Sequence, residues 1–248
     1  MSAAGPPPVS SQTLYSVQYL RAAAALAVLL YHISALSQQT WGLDPERIDH
    51  AGAAGVDLFF VISGFIMAMI VARPGNFDGR EFWVRRIARV APAYWVITLV
   101  VFGLIWLKPQ LFNAPISDIS TLLTSLSFMF FYALVSLTAG LLGDRRLIGV
   151  SVALIALIAL GQWLRPVNPT LGFYTDPILF EFVLGILVFK SWNQTRTTGQ
   201  GLAPLAMLVA GSILLLIQWE RPVGDMRTVF WGVPAAAILY GALGTLCF

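Results

Sequence analysis

The sequence predicts an all-α fold, a polytopic integral membrane bundle of about eight transmembrane helices, and three observations carry that expectation. Of 248 residues, 58% are hydrophobic and only 11% charged, with a mean hydropathy of +0.78, so charged groups are too few to clothe a water-soluble body of this size. The apolar residues gather into runs of the length needed to cross about 30 Å of hydrocarbon. Eight tryptophans and seven tyrosines, many near the ends of those runs, suit the two membrane interfaces.

The elements follow in chain order. The leader MSAAGPPPVSSQT is uncharged and proline-rich, without a basic segment or cleavage signal, so residues 1–15 are expected to be a disordered cytoplasmic tail. Residues 16–248 are expected to form a single transmembrane domain. Its spans are drawn at 17–37, 54–72, 90–107, 118–140, 147–164, 176–190, 202–219 and 229–247. The first, SVQYLRAAAALAVLLYHISAL, is rich in alanine and leucine, the strongest helix formers. The sixth is the weakest: it contains Glu181 and follows Pro177, as a partial or tilted span would. LKPQLFNAP, RPVNPTLGFYTDP and NQTRTTGQG read as short connections, and no internal repeat is evident. Cys247 is the single cysteine, which excludes an intramolecular disulfide and a cysteine-based zinc site.

Charge placement gives the direction. With the N-terminus inside, Arg21, Arg73, Arg80, Arg85, Arg86, Arg89, Arg145, Arg146, Lys190 and Arg196 are internal, while Arg47, Lys108, Arg165, Arg221 and Arg227 are external. Ten against five places both termini in the cytoplasm. The net charge of +3 is therefore an orientation signal, and no basic stripe interleaved with aromatics points to nucleic acid.

The polar residues inside these spans carry the chemistry. Arg21 and His32 are eleven positions apart, about 16.5 Å along a helix and close to three turns, so they share a face without touching. A costly intramembrane charge argues for a polar seam. His32 reads either as an imidazole bonded across helices or as a general base, because imidazole titrates near neutrality. Arg21 either snorkels to the inner headgroups or clamps an anionic group. In GAAGVDLFFVISGFIMAMI, Asp57 either faces water at the outer end of the second span or orients a catalytic imidazole. Ser63 lacks the strand-to-helix elbow of a serine nucleophile, and the Ser63-Gly64 pair reads better as a close helix contact. In REFWVRRIARVAPAYW, Arg85, Arg86 and Arg89 precede the third span, either as an anchor on anionic lipid or as a bidentate grip on phosphates. Glu181 is either a buried paired carboxylate or a pocket residue.

The pieces LRAAAALAVLLYH, GVDLFFVISGFIM, FWVRRIARVAPAYW, FYTDPILFEFVLGILV and FWGVPAAAILYGAL, in this order across nearly the whole chain, resemble the membrane-bound acyltransferase family 3. The resemblance is to its exopolysaccharide-modifying branch of O-acyltransferases. It implies a bacterial inner-membrane, multi-pass enzyme that moves acetyl or another acyl group from cytoplasmic acyl-coenzyme A to a carbohydrate hydroxyl, with no metal. His32 would be the base, Arg21 an essential arginine, and Arg85, Arg86 and Arg89 the holders of the coenzyme's phosphates. Glu181 would be a pocket residue, since the family places a glutamate in that helix too, and Ser63 is kept beside it as a candidate pocket residue.

The acceptor implied is an exopolysaccharide or its lipid-linked precursor, with membrane lipids and polysaccharide assembly proteins as partners and no nucleic acid. The chain departs from the family in two respects. Against the family's usual pattern it is expected to be a shortened member, ending at LYGALGTLCF and without a portion that the resemblance would place before MFFY. Two other classes stay open: a noncatalytic component of a polysaccharide assembly system, favoured by those two departures, and a small transporter that uses the polar seam as a path. A transporter would show paired broken helices in two related halves, and none is clear in the sequence.

Overall fold

Helices form where the apolar runs predict them. The computed structural model describes residues 14–41, 49–73, 77–108, 130–142, 145–195, 202–217 and 226–245, and all regular structure among them is helical. In order these are α1 (Tyr15–Trp41), α2 (Asp49–Val71), α3 (Gly79–Leu107), α4 (Phe130–Leu141), α5 (Arg146–Leu164), α6 (Pro169–Tyr174), α7 (Leu179–Thr195), α8 (Ala203–Ile217) and α9 (Val233–Thr245). A wide π-helical turn, Thr228–Gly232, leads into α9 without a break. Each of the eight expected spans coincides at least in part with a helix, although 118–129 of the fourth, 218–219 of the seventh and 246–247 of the eighth lie outside the described residues, as does the 1–13 stretch of the tail. Among the described residues, five segments are long and apolar enough to cross a membrane: Tyr15–Ser34, Gly52–Val71, Gly79–Leu107, Arg146–Leu164 and Thr228–Thr245. The other helices, α4, α7 and α8 among them, are shorter than this criterion requires.

The chain divides into two compact units, the first built from Met1–Arg73 with Pro177–Phe248 and the second from Pro74–Asp176. In the first, α2 packs on α1 and α7, and α9 packs on α8, α7 and α2. The core is aromatic and aliphatic: Phe65 of α2 meets Phe189 and Trp192 of α7 edge-on at 5.8 and 5.7 Å, and Ile62 of α2, Phe182 of α7 and Leu239 of α9 are almost wholly buried. Gly64 and Gly185 let α2 and α7 approach backbone to backbone. A Cβ on Gly64 would stand 2.0 Å from the Phe182 carbonyl oxygen, and one on Gly185 2.0 Å from that of Val61. The small-residue contact expected of the Ser63-Gly64 pair is thus made by Gly64, a packing mode suited to helices in lipid.

In the second unit, α4 packs on α3 and α5, and α6 on α5. Here each long helix buries a narrow stripe, Ala91, Thr98 and Ile105 on α3 and Val150, Leu154, Ile158 and Gly161 on α5, with Phe82 buried in addition in the first turn of α3. Most boundaries differ by a few residues and the short α6 falls in RPVNPTLGFYTDP, expected as a connection; the widest difference among the described residues is at the start of α3. The third span was drawn from residue 90, with the arginines ahead of it, whereas α3 begins at Gly79 and carries them in its first three turns. The reason is local: Asp78 caps the helix, its carboxylate accepting from the backbone N–H groups of Arg80 and Glu81 at 2.8 and 3.1 Å. Glu81 then pairs with Arg85 one turn on.

Candidate active site

The sequence-predicted residues fall into two groups, one in each unit. In the first unit, His32 and Arg21 both lie on the exposed side of α1. The shared face holds, but within the unit it is not the interior seam that their cost in lipid suggested. The packed face of α1 is instead that of Val17 and Ala24, which are buried, and of Ala27 and Tyr31, which meet α2 at Gly52 and Gly55. The His32 ring lies 5.3 Å from the Tyr31 ring, edge to face at 65°. Ser63 is exposed on α2.

Asp57 is fully buried, and both of its oxygens are taken by Arg227 rather than by an imidazole. Arg227 Nε donates to Oδ1 at 2.9 Å and Nη2 to Oδ2 at 2.8 Å, the fork geometry only arginine provides. Nη2 also reaches the Ala53 carbonyl at 3.4 Å, and the guanidinium lies 5.0 Å above the Trp231 ring. A carboxylate removed from water needs this much compensation.

Glu181 is also fully buried, near the start of α7. It packs against the π-helical turn: a Cβ on Gly232 would stand 2.7 Å from Glu181 Cγ, so a larger residue there would displace the carboxylate. The turn itself has a cause in the sequence. Pro234 has no N–H to give one turn back, and the ladder widens so that Val233 N–H bonds the Thr228 carbonyl instead. Thr228 Oγ1 donates to the Pro177 carbonyl at 3.3 Å, tying the turn to the start of α7.

The second unit carries the arginine block. Arg85 and Arg89 are exposed, and Arg86 is half-buried with its guanidinium 5.8 Å over the Phe82 ring. Arg85 is already engaged by Glu81, whereas Arg89 makes no ion pair with a described residue. Arg146 of α5 stands 5.7 Å over the ring of Phe77, just ahead of α3, and so joins the same end of this unit. Exposed guanidiniums beside a capped helix start suit phosphate oxygens.

Sequence reasoning missed Arg227, Trp231 and Gly232 as members of the site. Arg227 counted only as an external cation, and its partner lies 170 positions away. The Pro234 signal for a disturbed helix start was available in FWGVP.

The Acyltransferase domain family matches residues 14–248. The chain is 32% identical over 171 residues to the exopolysaccharide production protein ExoZ of Rhizobium meliloti, covering 58% of this chain and 52% of that protein. It is 33% identical over 90 residues to the peptidoglycan O-acetyltransferase OatA of Listeria monocytogenes, covering 35% of this chain and 13% of that one. It is 34% identical over 112 residues to the O-acetyltransferase OatA of Staphylococcus aureus (strain NCTC 8325), covering 40% and 17%. The chain thus spans about half the length of the first of these relatives and less than a fifth of the other two. No solved structure matches. With the family's pattern running from Leu14, just ahead of α1, to residue 248, this protein belongs to the acyltransferase family 3.

Proposed function

We propose that the chain is a membrane-bound O-acyltransferase that moves an acyl group, acetyl in the first instance, from acyl-coenzyme A to a carbohydrate hydroxyl. The acceptor is an exopolysaccharide or its lipid-linked precursor. The protein sits in the bacterial inner membrane as a multi-pass protein with both termini cytoplasmic. The observation that carries this reading is the family match over 14–248, supported by relatives named for exopolysaccharide production and for O-acetyl transfer.

In this reading His32 takes the proton from the acceptor hydroxyl as its oxygen attacks the thioester carbonyl. The carbon–sulfur bond breaks, the new ester forms, and the departing thiolate recovers the proton from the imidazolium. Arg89, with Arg85 and Arg86, binds the phosphates of the coenzyme; the exposure of Arg89 fits that task. Arg21 holds a second anionic part of the donor, about 16.5 Å from His32 along α1.

The test is His32→Ala in membranes supplied with radiolabelled acetyl-coenzyme A. Incorporation into polymer should fall at least about a hundredfold, the loss of a general base, while the protein remains inserted. Retained incorporation at the parental rate refutes the assignment.

A further inference from the structure

We propose that Arg227 is a positioning residue for His32, acting through the buried Asp57 and the α1–α2 contact. The proposal rests on the reading of His32 as the base, and its links are all within one compact unit. Arg227 holds α2 at two points one turn apart, the Asp57 carboxylate and the Ala53 carbonyl. Next to Ala53 is Gly52, where any side chain would stand 2.5 Å from both the Ala27 carbonyl oxygen and Tyr31 Cβ. That close approach seats Tyr31 on α2. The Tyr31 ring in turn meets the ring of His32 at 5.3 Å.

A movement of the N-terminal part of α2 is passed through the close approach at Gly52 to Tyr31, and from the Tyr31 ring to the imidazole beside it. Arg227 is well made for this role. Its fork fixes both the distance and the plane of the carboxylate, and its stacking on Trp231 fixes its own position on the π-helical turn. A lysine would keep the charge and lose the fork.

The sequence contains two histidines, His32 and His50, so a His50→Gln background leaves one imidazole to observe. Full-length protein of that background, labelled with 13C,15N-histidine and held in lipid nanodiscs, reports the His32 environment by NMR. Tyr31→Leu calibrates the ring-current contribution of Tyr31 to that signal. Arg227→Lys should shift the His32 signal toward the Tyr31→Leu position with helical content unchanged. It should also lower kcat for transfer from acetyl-coenzyme A about a hundredfold, with KM for the donor unchanged, as a misplaced base does.

The double variant Asp57→Leu with Arg227→Leu removes both charges together and strands neither, so it serves if the single variant does not fold. A folded variant of either kind whose His32 signal is unmoved overturns the proposal. Loss of folding in both assigns the pair to stability alone and also overturns it. If the signal moves as expected but His32→Ala still transfers acyl groups, positioning stands and the base assignment fails.

Discussion

The two units are built from equally apolar sequence but pack in different ways. In the first, α2, α7 and α9 are buried over much of their circumference, glycines bring backbones together, and two carboxylates, Asp57 and Glu181, are sealed from solvent. In the second, α3 and α5 bury narrow stripes, and Val96, Ile97, Val100 and Trp106 remain exposed, as helix faces toward hydrocarbon do. The difference separates two uses of charge. The first unit hides its acids and secures at least one of them with a fork of hydrogen bonds. The second displays Arg85 and Arg89 in the open near the start of α3.

The largest expected effect lies in the close crossing of the first unit. In Gly185→Leu the new Cβ meets the Val61 carbonyl oxygen at 2.0 Å and Phe65 N at 2.7 Å, both backbone atoms that no rotamer change can clear. Overpacking alone costs about 1–3 kcal/mol, and a backbone clash on two elements exceeds that. The variant should lose its monodisperse peak in detergent gel filtration and its protease resistance. A variant as stable as the parent would show that the crossing is not the keystone of this unit.

The fold was largely legible because hydrophobic runs specify helices in lipid whatever surrounds them. The 17–37, 54–72 and 147–164 runs fall on α1, α2 and α5 within a few residues. What escaped depended on neighbours distant in sequence. Periodicity placed Arg21 and His32 on one face of α1 but could not say whether that face was covered. The span was drawn from residue 90 because the eleven residues before it, with four arginines, lack a continuous apolar run, whereas a cap and an i,i+4 ion pair carry the helix through them. Asp57 was singled out, yet its partner was not, since nothing local in DMRTVFW announces a carboxylate 170 positions earlier.

A middle-sized effect sharpens the contrast in charge. Arg85 is engaged by Glu81, while Arg89 is exposed without such a partner. Arg89→Ala should therefore raise KM for acetyl-coenzyme A about tenfold, the loss of one charge-assisted contact, with kcat little changed. Arg85→Ala should do less, and Glu81→Gln, which releases Arg85, should lower KM. Measured in membranes at two ionic strengths, the Arg89 effect should shrink with added salt, because the contact is exposed. Equal KM values for the parent and Arg89→Ala would remove this residue from the donor site.

The smallest effect has the opposite sign and comes from the same residue type that governs the first unit. Gly103 lies inside α3 of the second unit, and a Cβ built there meets nothing within 4 Å. No packing opposes a side chain at this point, so only helix propensity remains to decide the outcome. Alanine restricts the unfolded backbone and costs nothing in the helix, a preference over glycine of about 0.8–1 kcal/mol in water. Gly103→Ala should accordingly raise the thermal midpoint slightly while Gly185→Ala, whose added methyl has no room, lowers it. A destabilised Gly103→Ala would mean that this face of α3 is covered in the membrane by another molecule, and it would end the description of the second unit as a set of helices with open outer faces.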